Sequence, residues 1–253
     1  MKLKSYDVIG NIAILKFPSS VKKAEKVRLA KGLLKERKSV KTVVEKKDKI
    51  KGRLRTIKTT HLAGEKNLEA LYIENACRFK LNIETCYFSP RLANERKEVY
   101  SQVKKGERVL VMFGGVGPYA ITLAKNSKAS EVYSVELGRE CSKYAKENVV
   151  LNKLNNVKVI QGDVKRVKLE GRFDRIVMAR PNLRDSFLEC ALKVVKKGSI
   201  VNYYGFAKDK EEILDTINKD SLKSKKKIKI FCVKKAGDIA PGKFRWRVDF
   251  KIL

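Results

Sequence analysis

Two carboxylates and a cluster of glycines are spaced as if to hold an adenosine. In "MFGGVGPYA", residues 112–120, Gly115, Gly117 and Ala120 follow the spacing G-x-G-x-x-A. The apolar run "RVLVMF" leads into them, and "PYAITLAKN" follows with the pattern of a helix. Glycines after a strand let the backbone approach a ligand, and the N-terminus of the next helix favours an anionic group. The next apolar run, "EVYSVEL", carries Glu136 about 20 residues past the turn, where a carboxylate accepts the hydroxyls of an adenosine ribose. These features serve a nicotinamide dinucleotide and S-adenosylmethionine (SAM) equally.

The third run, "VKVIQGDV", separates the two. Asp163 closes it and Val164 follows. An aspartate there accepts from the adenine amine while the next backbone N–H donates to the ring. A ribose carboxylate after the second strand and an adenine carboxylate after the third form the pattern of class I SAM-dependent methyltransferases. The competing readings are plain ones: Asp163 as a turn residue after a strand, and Glu136 as a solvated strand end. Their joint register with the glycine turn favours the ligand.

The elements that must position these residues alternate. "RVLVMF", "EVYSVEL", "VKVIQGDV" and "FDRIVMA" read as strands, followed by "GSIVNYYGF", "KKIKIFCVKK" and "RWRVDFKIL". "PYAITLAKNS", "RECSKYAKENVVLN" and "LRDSFLECALKVVKKG" read as helices. Strands separated by crossover helices imply a mostly parallel sheet covered on both faces. The last two strands are joined by "AGDIAPGK", a turn-rich loop, and so are expected to form an antiparallel edge pair. Residues 1–84 have another texture: short strand-like runs around the basic helix-like stretch "VKKAEKVRLAKGLLKERK". The expectation is an α/β protein with a small basic, RNA-contacting α/β domain at 1–84. A Rossmann-like methyltransferase domain with a seven-stranded sheet would follow at 85–253.

Charge points to the partner. The 253 residues hold 59 Lys and Arg against 28 Asp and Glu, a net charge of +31. An enzyme of small metabolites has no need of such self-repulsion. A protein that meets phosphate backbones gains from it, since each neutralised phosphate releases a counterion. The five cysteines form no C-x-x-C, and His61 is the only histidine. A structural zinc site or a Cys/His nucleophile is therefore not expected, and no metal is assigned. An odd cysteine count without a secretion signal fits a reducing cytoplasm. No apolar run approaches the roughly 20 residues of a membrane span.

With "YFSPRLANER" (residues 87–96), "LAGEKN", "ENACRFKLN", "KENVVLNKLNNV" and "NYYGF", the chain resembles the archaeal and eukaryotic tRNA guanine-37 N1-methyltransferase family. The resemblance runs from "SYDVIGNIAILKFP" over nearly all of the chain. It implies SAM as methyl donor, guanosine 37 beside the anticodon as acceptor, and a monomer. Some archaeal relatives also methylate the wyosine precursor at that nucleotide, and a cousin family transfers the aminocarboxypropyl group of SAM there. Many members carry a further N-terminal domain that grips the tRNA elbow, while this sequence begins almost at the second domain; recognition centred on the anticodon stem-loop is the expectation. Three positions depart from the family pattern. Val111 stands where the loop's Asp is usual, Gly114 where an Ala is, and Ala179-Arg180-Pro181 where Asn-Leu-Pro is.

Guanine N1 is protonated at neutral pH, so methylation needs a base within reach of N1 and a donor for the charge growing on O6. The resemblance implies Glu95 as that base and Arg55 in "GRLRTIK" as the O6 partner. Tyr87, Phe88 and Arg91 lie on the same segment as Glu95 and could line a pocket for an extruded purine; Pro181 joins that substrate set. Arg96 matches a family position at the SAM site. Phe113, Gly115, Gly117, Glu136, Leu137, Asp163, Val164 and Ala179 complete the cofactor set. The bland alternatives are a surface i to i+4 pairing of Glu95 with Arg91, a phosphate contact for Arg55, and core packing for Tyr87 and Phe88.

Overall fold

A computed structural model of the chain describes residues 6–47, 52 and 54–253. The chain divides between Pro90 and Arg91 into two compact units.

The first unit holds a four-stranded sheet in the order β1-β2-β3-β4: β1 (Asp7–Ile9), β2 (Ile12–Leu15), β3 (Thr42–Lys46) and β4 (Thr59–Gly64). Helix α1 (Lys23–Glu36) makes the crossover between the parallel pair β2 and β3. Half of its residues are charged, yet it folds because one narrow apolar stripe finds a partner. Ala30 and Leu33 pack on Ala13, Leu15, Val43 and Leu62, while Lys23, Lys31 and Lys35 stay in water and half-buried Lys26 pairs with Glu45 of β3. A hairpin of β5 (Glu69–Glu74) and β6 (Cys77–Asn82) completes the unit.

The second unit begins with a single 3-10 turn (Pro90–Leu92) and α2 (Ala93–Ser101). Then come β7 (Arg108–Met112), α3 (Pro118–Asn126), β8 (Glu131–Glu136), α4 (Arg139–Leu151), β9 (Val157–Gln161) and β10 (Phe173–Met178). After α5 (Leu188–Lys193) follow β11 (Val195–Ala207), α6 (Lys210–Lys223), β12 (Ile228–Ala240) and β13 (Lys243–Ile252). The sheet order is β12-β13-β11-β10-β7-β8-β9. Only β13 runs antiparallel to its neighbours. Side chains of one strand alternate between two cores: Leu110 and Met112 point to one face, Val109 and Val111 to the other. Burial on both faces is why "RVLVM" reads as a continuous apolar run.

The expected mostly parallel seven-stranded sheet and the small α/β unit are both present. Two local readings change. The stretch "AGDIAPGK" is mostly strand, interrupted by bulges, and only Pro241 and Gly242 separate β12 from β13. β12 and β13 do pair antiparallel at one edge of the sheet, as expected, with β12 outermost and β13 between it and β11. The helix expected over "LRDSFLECALKVVKKG" is confined to Leu188–Lys193, because Phe187 before it has left-handed backbone and Val195 already opens β11. A further helix, α6, crosses from β11 to β12, capped by the Asp209 carboxylate accepting from the Glu212 N–H.

Candidate functional site

The sequence order returns from β9 to β10 across β7, so the switch point of the sheet lies at the carboxyl end of β7. In such sheets ligands bind outside the carboxyl ends of the strands, at this point. The glycine turn sits there. Phe113 and Gly115 take left-handed backbone, at φ 64° and 55°, and Gly117 at φ 90° caps α3, where Pro118 is the first helical residue. A side chain on Gly117 would meet Ile121 Cδ1 at 2.8 Å. Gly114 packs even more closely: an added Cβ would lie 2.1 Å from Ser134 Oγ. An alanine at 114 would therefore require the Ser134 hydroxyl on β8 to turn away. Val111 is part of the core under α3 and packs in the cluster of Tyr119 and Tyr204.

Glu136 lies at the end of β8 with its carboxylate turned into the turn. Oε2 accepts the Gly115 N–H at 2.8 Å and Oε1 the Gly138 N–H at 2.7 Å. Burial raises its pKa above the ordinary glutamate value, and the N–H donors of Gly138 and Gly115 oppose the shift. This is no solvated strand end. Asp163 follows β9; Oδ1 accepts the Lys165 N–H at 3.0 Å, and its carbonyl accepts from Arg166 and Val167. The carboxylate thus shapes the turn, and its place after β9 is also the one the ligand reading requires. Leu137 is half-buried and its carbonyl accepts from Gln161; Val164 packs on the core. Phe113 stacks edge-on against Phe187 with centroids 5.0 Å apart. Ala179 packs against the cluster under α3, and Pro181 is half-buried in the following loop.

Glu95 sits on α2 and is buried, which excludes the surface pairing with Arg91. Arg247 Nη1 donates to its Oε2 at 2.8 Å, and the Tyr204 hydroxyl donates to the same oxygen at 3.1 Å. Lys234 Nζ stands 2.9 Å from Oε1. Burial works against the charge of Arg247, but Asp249, Tyr204 and Glu95 outweigh it and raise its pKa. Burial also raises the Tyr204 phenol well above the ordinary value, so it remains a neutral donor. Arg96, on the same helix, is 1% exposed, its guanidinium 5.9 Å from the Tyr119 ring centre on α3. Arg91 is exposed on the 3-10 turn.

Arg55 and Tyr87 belong to the first unit. The Arg55 guanidinium lies 3.6 Å from the Tyr87 ring centre, a cation–π stack, and Arg55 has left-handed backbone at φ 58°. Phe88 is core: its ring packs on Tyr72 and Phe79. The idea that Phe88 lines a base pocket is corrected on that ground.

The sequence reading missed Tyr204, Lys234 and Arg247. The signal was present in "RWRVDFKIL", where Arg245, Arg247 and Asp249 alternate with Trp246, Val248 and Phe250. On a strand covered on both faces, that period of two places three ionisable residues inward. Among the described residues no group of His, Cys, Asp and Glu could hold a metal, and no helix is long and apolar enough to cross a membrane.

A sheet of this order, with a glycine turn after its first strand and carboxylates after its second and third, defines a class I SAM-dependent methyltransferase. Comparison with known proteins narrows the class. The TRM5/TYW2 methyltransferase domain matches residues 70–231, and the TYW2 N-terminal domain residues 2–67. The chain belongs to the TRM5/TYW2 methyltransferase family. It is 37% identical over 251 residues to the tRNA (guanine(37)-N(1))-methyltransferase Trm5b of Pyrococcus abyssi, covering 98% of this chain and 74% of that one. The crystal structure of P. abyssi Trm5b superposes with a TM-score of 0.90 at 36% identity, over 99% of this chain and 75% of that one. The tRNA (guanine(37)-N(1))/4-demethylwyosine(37)-methyltransferase Taw22 of Nanoarchaeum equitans is 32% identical, over 98% of this chain and all of that one. Methanocaldococcus jannaschii Trm5 in complex with adenosine superposes at 0.84 with 30% identity, over 98% and 74% of the two chains. SAM is the cofactor of this enzyme class, and the turn around Gly115 with Glu136 and Asp163 fits its adenosine half.

Proposed function

We propose that the protein methylates N1 of guanosine 37 in tRNA, with SAM as donor. The observation that carries this reading is Glu95: a buried carboxylate at the start of α2, held on the sheet face by Tyr204 and Arg247. SAM supplies an electrophilic methyl group. The glycine turn admits its polar end, Glu136 holds the ribose hydroxyls, and Asp163 with the Val164 N–H reads the adenine. Phe113, Leu137 and Ala179 border the adenosine, and Arg96 orients the amino-acid end.

Removal of the N1 proton is the task left to the protein. Glu95 takes it. Its Oε1 faces Lys234, the more exposed of its two cationic partners, and this contact is the one that exchanges for the substrate. Tyr204 and Arg247 keep the other oxygen fixed, so the carboxylate turns toward N1 without an ordering cost at the moment of reaction. Arg55 binds O6, where negative charge grows as N1 loses its proton; a permanently charged, planar donor suits that oxygen. The Tyr87 ring beneath it limits the directions the guanidinium can take. Arg91 and Pro181 contact the nucleotide. The first unit, residues 1–90, is the RNA-contacting part and the second, 91–253, the methyltransferase part, of a cytoplasmic monomer.

A second reading rests on Taw22, matched over its entire length: methylation of 4-demethylwyosine at the same position. Nucleoside mass spectrometry decides. Incubation with SAM and unmodified tRNA bearing guanosine 37 is expected to yield N1-methylguanosine. A product formed only on tRNA carrying 4-demethylwyosine would replace the first reading by the second, and an aminocarboxypropyl adduct would replace both.

A further inference from the structure

Two arginines in the second unit are buried without a carboxylate. Arg180 follows β10 and is 6% exposed; Arg245 opens β13 and is 8% exposed. Neither forms an ion pair among the described residues, whereas buried Arg175 has Glu107 and buried Arg247 has Glu95 and Asp249. Arg180 Nη2 donates to the backbone carbonyls of Leu183 and Asp185, and its Nε has no partner. The Asp185 carboxylate is taken by Lys165. What surrounds the two guanidiniums is aromatic. Arg245 lies 5.2 Å and Arg180 5.8 Å from the centre of the Phe206 ring, with Tyr203 5.7 Å from Arg180. Ring faces compensate a cation only weakly, and a buried charge ordinarily finds a counter-charge. Burial accordingly lowers the Arg180 pKa.

Their place in the fold says what the missing anion belongs to. Phe206 ends β11 and pairs with Arg245 of the antiparallel β13, so both stand at the carboxyl edge of the sheet. That edge has two halves. The β7-β8-β9 half carries the glycine turn, Glu136 and Asp163, which take the adenosine. The β10-β11-β13 half is left for the methyl acceptor.

We propose that Arg180 and Arg245, set around Phe206, form an oxyanion site that binds a backbone phosphate of the RNA beside the target nucleotide. The site rests on the reading of the protein as an RNA methyltransferase. It gives Arg180 two functions: Nη2 pins the loop of residues 181–185, while the unpartnered Nε serves the anion. Phosphate contacts fix register without reading sequence, so the site aligns the acceptor base instead of choosing it. The same chemistry could be met by the carboxylate of the methionine end of SAM, and the test separates the two sources.

The experiment compares the full-length wild type with Arg245→Gln, Arg180→Gln and Arg180→Lys. Affinity for guanosine-37 tRNA is measured over a salt series, SAM affinity by calorimetry, and KM and kcat by methyl transfer. Loss of one phosphate contact in a single-stranded loop lowers the slope of log affinity against log salt by about 0.7. Each Gln variant is expected to show that smaller slope and about tenfold weaker RNA binding, with unchanged SAM affinity. Arg180→Lys is expected to keep the slope, because the charge remains. An unchanged slope in Arg245→Gln overturns the proposal, as does a loss of SAM affinity with RNA binding intact, which would assign the anion to the cofactor. Should Arg180→Gln fail to fold, Arg245→Gln still decides, because its side chain holds no loop. A wild type that binds tRNA but leaves guanosine 37 unmethylated would refute the parent reading while the slopes remained interpretable.

Discussion

Replacing Glu95 by glutamine keeps the shape of the side chain and one good acceptor, but removes the charge and the capacity to take a proton at neutral pH. The structure sets the cost to folding. Glu95 faces Arg247, nearly fully buried, and Lys234, about one-third exposed. A hydrogen bond to a charged group contributes about 1.5–3 kcal/mol, and the Lys234 pair counts for less because solvent screens it. The substitution does not strand Arg247, since Glu98 at 3.0 Å and Asp249 at 3.2 Å remain. The loss is therefore about 2 kcal/mol of the roughly 5–15 kcal/mol typical of a domain. Even at the low end, about 3 kcal/mol remains, and under about 1% of molecules unfold. General-base catalysis is typically worth about 10²–10⁴-fold, or about 3–5 kcal/mol of barrier. A rate fall of that order cannot come from unfolding. Single-turnover methyl transfer at saturating SAM and tRNA, across a pH series, reads the chemical step alone. Binding of both substrates is expected to stay near wild type. A near wild-type rate at neutral pH would remove Glu95 from the base role and leave it as a brace for Arg247.

Four further outcomes are expected. Glu136→Ala and Asp163→Ala should each weaken SAM in calorimetry while tRNA affinity holds; unchanged SAM affinity in both would overturn the cofactor geometry. Because burial raises the Glu136 pKa, its charged form is disfavoured in the ligand-free fold: the stability it contributes is present below its unfolded value and is lost as pH rises through the folded one. Ribose hydroxyls need the charged form as acceptor, so SAM affinity in the wild type should fall from neutral pH into the weakly acidic range above ordinary glutamate, and a flat profile would contradict this. Arg55→Ala should slow transfer and also weaken tRNA binding, since a base oxygen and a nearby phosphate both favour that cation; a variant with normal kinetics would clear it of the O6 role. Gly114→Ala should cost about 1–3 kcal/mol by overpacking against Ser134 Oγ, and Ser134→Ala, which removes a buried hydroxyl without a partner, should relieve most of it in a double-mutant cycle by denaturant unfolding.

What the sequence determined by itself was local. The glycine turn, Glu136 and Asp163 each close a strand within a few residues, and the strands themselves are apolar runs between helix patterns. Nearest-neighbour chemistry writes these features, because a left-handed turn needs glycine and a doubly covered strand needs apolar side chains in succession. The resemblance in "FSPRLANER" singled out Glu95 but not its surroundings. Those belong to the tertiary structure. Tyr204 and Arg247 reach Glu95 across 109 and 152 residues. They do so because β13 inserts between β11 and β12 and turns Arg247 and Asp249 toward α2 and its C-cap Gln102. The spacing of charges in "RWRVDF" fixes that they share a face, yet which strand lies beside them is decided by long-range pairing, whose free energy comes from burying the whole sheet. For the same reason Arg180 and Arg245, 65 residues apart in sequence, meet around one phenylalanine only when β10, β11 and β13 are placed in order.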